Sequence, residues 1–281
     1  MNYYPLIRGK LYDLAALTEL ANQHLLSPRV VPILEPVKDL PGLVKTAKAF
    51  TKRQQPLVVV TNPQVGTYGL LATPKHQIAL TPPLMAGRYF DPIDSALTIA
   101  QTMAQARLLK HRPGIHVVPD EARVRQLRLD SAVYLNDHFT TWSHTADYAQ
   151  LQDEFYQYPV SLLPGIGFSE YPITTGDYQE QGFAQRAIAL HLVYVGPHNT
   201  LRLHHFVSVN NEDYQDPASK FFEAASQLEP WLAMHPEAVT SGLTQLITFY
   251  HERHFPALGT LRKLQLMHHL ELIGRWLDDA I

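Results

Sequence analysis

At 281 residues, 46% of them apolar, the chain has material for a sizeable core and a length that suits an α/β barrel, which typically needs about 250 residues. Its 23 basic and 26 acidic side chains give a net charge of −3, a balance that disfavours nucleic acid as a partner because there is no basic excess to neutralise phosphates. The absence of cysteine excludes disulfides, thiolate nucleophiles and thiolate metal ligands, and fits a reducing compartment.

Strand and helix patterns alternate from the start. A short apolar stretch over 3–8 ends at Gly9, and a helix is expected over 11–25, where Leu14, Leu17, Leu20 and Ala21 recur at helical spacing. The β-branched run 30–36 predicts a second strand and 41–51 a second helix, with Pro41 suited to its first turn. Residues 56–63 give the strongest strand pattern, a continuous apolar run of the kind buried on both faces in parallel sheets. A fourth strand is expected at 77–82 and a long helix at 93–109. A fifth strand follows at 115–120 with a short helix from 121, then a sixth at 131–137, a helix at 146–156 and a seventh strand at 159–163. Residues 164–182 read as a loop rich in glycine, proline and tyrosine.

The rhythm then changes. Residues 187–195 and 200–207 form a hairpin around Gly196-Pro197-His198-Asn199, and the remainder is helical at 216–228, 240–251 and 258–277. Repeated strand-then-helix units imply parallel neighbours joined by crossovers. The expected fold class is therefore α/β, a (β/α)8 TIM-barrel-like domain with a late β-hairpin and extra C-terminal helices. The barrel would occupy about 1–210 and a helical cover about 216–281, all within a single domain spanning 1–281. An open doubly wound sheet is the rival, although no glycine-rich phosphate loop follows the first strand. The charges at Arg8 and Lys10 arrive too early for the apolar core of a signal peptide, and no later run is long enough to span a bilayer. The cytoplasm is the expected location, with no membrane partner.

Reactive groups of parallel α/β folds gather at the C-terminal ends of strands. Those positions here hold Arg8, Lys10, Glu35, Asn62, Thr81, Asp120, Asn136 and Asp137. By the two-residue period, Leu6, Arg8 and Lys10 share a face, as do Ile33 with Glu35 and Val60 with Asn62. Converging at one opening, Lys10 would serve as base or anion anchor, Glu35 as acid/base, and Asn62 would orient a substrate; Arg8 and Asp137 join them as ligand-binding candidates. The competing reading is structural: strand-end polar groups cap helices and tie loops, and Arg8 with Glu35 makes an ion pair beneath the loops.

Other features carry less. If Val195 faces Leu201, His191 lies opposite His205, whereas a register one residue shorter puts His204 there; either pair, with a carboxylate such as Asp177, has donors for zinc. No spacing requires an ion, so no metal and no cofactor is assigned, and His191 and His205 are retained as ligand-binding candidates. His251-Glu252-Arg253-His254 is one residue short of the zinc-protease helix motif. Gly165 and Gly167 follow the expected seventh strand, where barrels often bind phosphate through backbone amides. Tyr171, Tyr178 and Phe183 of the same loop either stack on a ligand or pack the loop down. The stripes of the last helices, among them Phe221, Trp231, Leu246, Leu264 and Trp276, read as core or as an interface for a protein partner or a homodimer.

Tyr4-Pro5-Leu6-Ile7-Arg8-Gly9-Lys10 with Asp13-Leu14, then Pro32-Ile33-Leu34-Glu35-Pro36-Val37-Lys38 and Asn62-Pro63-Gln64-Val65-Gly66, resembles the opening of the phage "beta protein" family and its bacterial relatives. The later stretches Gly176-Asp177-Tyr178, Gly182-Phe183-Ala184, 187–194 and His204-His205-Phe206-Val207-Ser208 are similar to the same relatives. The resemblance implies a bacterial or phage setting and a part in phage–host conflict, and it transfers no catalytic residue. Asp13 stands where the family pattern has Glu, which keeps the charge and shortens its reach. Two expectations follow: an enzyme or small-ligand binder, for an anionic small molecule, working through the strand-end cluster; or a non-catalytic interaction protein of a phage-defence or mobile-element system.

Overall fold

A computed structural model of the chain describes residues 1–180 and 186–280, so Gly182, Phe183 and Ala184 of the tyrosine-rich loop lie outside the described residues. The chain divides into two compact units. The first comprises Met1–Asp137, Val160–Pro172 and Ile273–Ile281; the second comprises His138–Pro159 and Ile173–Leu272.

The first unit is a mixed α/β layer structure on a nine-stranded parallel sheet. Its strands are β1 (Asn2–Tyr3), β2 (Leu6–Arg8), β3 (Ile33–Glu35), β4 (Leu57–Val60), β5 (Leu84–Tyr89), β6 (Leu97–Ile99), β7 (Ile115–Pro119), β8 (Ala132–Leu135) and β10 (Gly167–Ser169). The order is β1-β10-β8-β7-β6-β5-β4-β3-β2, so the first two strands of the chain stand at opposite ends. Pro5 separates them; it has no N–H, and the ladder assignment breaks there. Around that break the backbone bonds in both directions. Tyr4 N–H donates to Phe168 O at 2.8 Å and Leu6 N–H to Glu170 O at 2.9 Å, while Val31 N–H donates to Tyr3 O and Ile33 N–H to Pro5 O, both at 2.8 Å.

Alternation along the strands makes two apolar layers. Leu6, Ile33, Val58, Val60, Tyr89, Leu97, Ile99, Val117 and Val133 pack together on one face. On the other, Val118, Ala132 and Tyr134 pack with Ala106 of α3 (Met103–Leu108) and Val124 of α4 (Ala122–Arg125). Burial on both faces explains why these strands read as unbroken apolar runs. Helix α1 (Leu11–Asn22) buries Leu14, Leu17 and Leu20, and α2 (Pro41–Arg53) opens on Pro41 and closes through Gln54 in the left-handed region.

The second unit is built on an antiparallel sheet, β11-β12-β9, from β9 (Asp153–Gln157), β11 (Ala189–Val195) and β12 (Leu201–Val207). The hairpin pairs Val195 with Leu201 and His191 with His205, the first of the two registers considered from sequence. Helices α5 (Pro217–Ala225), α6 (Leu228–Met234) and α7 (Ser241–His251) follow, then α8 (Leu258–Asp279), whose residues from Ile273 belong to the first unit. Thr240 caps α7 by accepting from Leu243 N–H, and Gly242 lets α7 approach the α8 backbone: a Cβ there would lie 2.2 Å from Leu264 O. No helix among the described residues is long and apolar enough to cross a membrane.

Several sequence expectations need correction. Residues 77–82 form no strand; the fourth core strand is β5, whose Gly87 makes room for the Val58 side chain. The helix expected at 93–109 is β6 followed by the shorter α3, and the helix at 146–156 is a 3-10 turn (Thr145–Gln150) followed by β9. The seventh strand at 159–163 is a 3-10 turn over Val160–Leu162, and the strand itself, β10, lies inside the stretch read as loop. The late hairpin pairs with β9 in the second unit and adds no strand to the parallel sheet.

Candidate functional site

Parallel register brings the strand ends of the first unit together. Arg8 and Glu35 are direct partners across β2 and β3, so their side chains leave the sheet on the same face. Glu35 is wholly buried, and its carboxylate collects three donors. Gln64 N–H donates to Oε1 at 2.7 Å, the Tyr89 hydroxyl donates to Oε2 at 2.7 Å, and the Arg8 guanidinium pairs with Oε2. Arg8 also donates to the Tyr89 hydroxyl at 3.0 Å, and its guanidinium carbon lies 5.1 Å from the centroid of the Tyr171 ring. The Arg8 side chain keeps 11% exposure against 0% for Glu35. Burial raises the pKa of the Tyr89 and Tyr171 hydroxyls, with Arg8 opposing it in both, so both phenols stay neutral donors. The two rings and the ion pair thus form one ordered polar group at the carboxyl ends of β2, β3 and β5.

Asn62 joins this group in a different capacity. Its amide donates to Tyr89 O at 2.9 Å and accepts from Tyr89 N–H at 2.8 Å, extending the β4–β5 ladder by one side chain. It also donates to Asp91 Oδ2 at 3.2 Å, and Asp91 in turn pairs with Arg88. The amide expected to orient a substrate is therefore engaged in fixing the backbone of Tyr89. Lys10 lies beyond the end of β2: its N–H donates to Arg8 O at 2.6 Å and it occupies the N-cap of α1, so strand alternation does not extend to it. Asp137 is exposed just past β8, where its charge helps raise the Tyr171 hydroxyl pKa.

Two other sets of candidates fall elsewhere. Gly165 and Gly167 precede β10 or begin it, and so sit at the amino ends of the strands, away from the phosphate-binding position expected of them. Their role is close approach: a Cβ would come within 2.3 Å of Ala132 O at Gly165, whose φ is +75°, and within 2.6 Å of Asn2 O at Gly167. His191 and His205 belong to the second unit, where they face each other with Nδ1 atoms 2.7 Å apart. Among the described residues no group of three or more His, Asp or Glu is arranged to hold a metal ion.

Tyr89 escaped sequence reasoning because its strand did. Its tell-tale was the run Leu84-Met85-Ala86-Gly87-Arg88-Tyr89, an apolar start ending on a polar-tipped ring, interrupted by glycine and arginine. No family model, curated protein or solved structure matches the chain.

Proposed function

We propose that the first unit binds a small anionic molecule at the carboxyl ends of its parallel strands, with Arg8 as the recognition group and Lys10 as a second cation at the rim. The observation that carries this reading is the preparation of Arg8. A buried carboxylate, a neutral phenol and an aromatic face hold its guanidinium in one orientation while part of it stays exposed. A fixed guanidinium offers paired N–H donors to a carboxylate or phosphate, and pre-ordering lowers the entropic cost of binding. Glu35 then serves as the positioning group. With its oxygens engaged by three donors and no exposure, it is badly placed to exchange protons with a solute, so binding is favoured over acid–base chemistry at this site.

Part of the same proposal is that the parallel sheet closes as an eight-stranded (β/α)8-like barrel, β1 and β2 being two pieces of one strand interrupted at Pro5. The hydrogen bonds from residues 3–6 to both neighbours support this, as does the single apolar cluster to which Leu6, Ile33, Val58, Leu97, Val117 and Val133 all contribute. The strand-end site would then be the barrel mouth. Kinship with phage beta proteins is proposed on the same footing, since Arg8, Glu35 and Asn62 all fall in the motifs that carry it. The interaction-protein reading has less behind it: α8 is buried on every side from Leu264 to Gly274 and presents no apolar face there to a partner.

Calorimetric and thermal-shift titrations with phosphate, citrate and nucleoside monophosphates test the binding claim. A ligand at a hundred times its Kd should add about 2.7 kcal/mol of stability to the wild type. Arg8→Lys should abolish that increment, and Lys10→Ala should weaken affinity about tenfold, equivalent to about 1.4 kcal/mol. An increment that survives Arg8→Lys, or no increment from any of these anions in the wild type, rejects the proposal.

A further inference from the structure

The second unit holds a line of titratable groups that the strand-end site does not use. Glu154 of β9 is nearly buried, and its carboxylate accepts from the Thr140 hydroxyl on Oε2 while Oε1 lies 3.2 Å from His205 Nε2. His205, on β12, is fully buried, and its Nδ1 lies 2.7 Å from Nδ1 of His191 on β11. His191 keeps a partly exposed surface. Phe139 and Tyr148 enclose the pair, with ring centroids 5.1 and 4.6 Å from that of His191. The Tyr148 hydroxyl, donated to Thr140 O at 2.9 Å, is pushed up to about 12 by burial and stays neutral.

Hydrogen-bond logic fixes the protons along this line. Burial works to raise the Glu154 pKa, but hydrogen bonds from His205 and Thr140 more than offset it, and the group is ionised at neutral pH. An ionised carboxylate only accepts, so His205 Nε2 carries a proton directed at it. The 2.7 Å contact between the two Nδ1 atoms needs one donor; with His205 carrying its single proton on Nε2, that donor is His191. The remaining nitrogen, His191 Nε2, is left with a lone pair. Burial is the first cause holding His191 in its neutral form, and the charge of Arg262 adds to it. Arg262 lies on α8 one turn before Gln265, whose Oε1 accepts from His191 N–H at 2.7 Å, and it is fixed there by donating to Ile173 O at 3.0 Å.

We infer that Glu154, His205 and His191 form a proton relay whose outer end, His191 Nε2, is a general base for a hydroxyl or water acting on a small anionic substrate held by Arg262. When Nε2 takes a proton, the Nδ1 proton of His191 passes to His205 Nδ1, and the positive charge comes to rest on His205 against the Glu154 carboxylate. For an ester substrate the steps balance simply. The water oxygen bonds to the acyl carbon as its proton passes to His191, the alcohol oxygen leaves with the electron pair of the broken bond, and the relay returns the proton to it. Separating the base from its counter-charge by one ring suits a site that stays neutral at rest and is stabilised once charged. The titratable groups around His191 are His205 and Tyr148 in direct contact, Glu154 one ring beyond, and Arg262 acting through its charge.

Long-range nitrogen–proton NMR of the whole, histidine-labelled protein reads the tautomers directly. His191 is expected in the Nδ1–H form, the minor one in free histidine, and His205 in the Nε2–H form. Glu154→Gln turns an amide donor toward His205 and should flip both rings, leaving His191 protonated on Nε2. Diethyl pyrocarbonate, which acylates only an unprotonated nitrogen within reach of solvent, should modify His191 in the wild type and do so about a hundredfold more slowly in Glu154→Gln, the low end of what a positioned acid–base partner contributes. An Nε2–H tautomer for His191 in the wild type, or acylation indifferent to Glu154→Gln, overturns the relay. Cleavage of the anionic ester mono-para-nitrophenyl glutarate should outpace that of para-nitrophenyl acetate and lose its advantage in Arg262→Met. Equal rates for the two esters in the wild type would remove Arg262, and the anionic substrate class with it.

Discussion

Replacing Glu35 with Gln isolates the charge at the strand-end site while keeping its shape. Both carboxylate oxygens accept: Oε1 from Gln64 N–H, and Oε2 from the Tyr89 hydroxyl and Arg8. Whichever way a glutamine amide is turned, its NH2 group must meet a donor. Arg8, at 11% exposure, would also lose its counter-ion. Breaking a buried pair from one side costs about 3–5 kcal/mol, well above the 1 kcal/mol or less of an exposed pair. For a unit of this size that corresponds to a fall in Tm of roughly 6–20 °C. Guanidinium unfolding followed by tyrosine fluorescence provides the free energy. The double variant Arg8→Met/Glu35→Gln should recover about half of the loss, because no uncompensated charge remains. A loss below about 1 kcal/mol, with the two substitutions simply additive, would show that the pair is solvated and would undo the argument for a pre-ordered Arg8.

Asn62→Ala removes two hydrogen bonds to Tyr89 of 2.8 and 2.9 Å, and a loss of about 1–3 kcal/mol in the same assay is expected. A change below about 0.5 kcal/mol would mean that the amide does not tie β5 down. Gly66→Ala places a Cβ 2.2 Å from Val37 O at a φ of +75° and should cost about 1–3 kcal/mol, visible as a lower melting temperature. An unchanged Tm would place that turn differently. Stability should also fall with pH. His191 and His116 are held below the ordinary 6.5, burial being the first cause in each, so the unfolded chain takes up protons there before the folded one does. Their stabilising share is complete above that value and is lost as pH falls through it toward the depressed folded values. His191→Gln should flatten the slope measured by urea unfolding between about pH 7 and pH 5, where only histidines ordinarily titrate. A wild-type profile flat across that range contradicts the assignment.

The parts of the fold visible in sequence are those in which local chemistry and final environment agree. β3, β4, β7 and β8 are largely apolar runs buried on both faces, and that apolar continuity announces them. β5 and β6 lack that mark. β5 needs a glycine at position 87 because Val58 fills the space, and a Cβ would come within 2.5 Å of its Cγ1. β6 is three residues, Leu97–Ile99, set in an alanine-rich segment whose propensities favour helix. β9 carries Asp153, half-buried, and Glu154 and Gln157, buried polar side chains whose partners lie far along the chain, and so it read as helix. The site followed the elements. Arg8, Glu35 and Asn62 were legible because their strands were, whereas Tyr89 and Glu154 were lost with theirs. No local signal joins Glu154 to His205, 51 residues apart.

Both polar groups depend on register. Arg8 opposes Glu35 across parallel strands, and His191 opposes His205 across antiparallel ones. A slip of one residue would exchange the faces of every side chain on the moving strand. In β2 it would set Ile7 opposite Glu35 and turn Arg8 into an apolar layer, leaving two buried charges apart. In the hairpin it would bring His204 opposite His191 and carry His205 away from Glu154. Each error costs several kcal/mol on top of the apolar packing lost by the shifted strand. The ion pair and the relay therefore specify the alignments that create them. The same alignments leave Arg8 and His191 at the partly exposed ends of otherwise buried networks, where a solute can meet them.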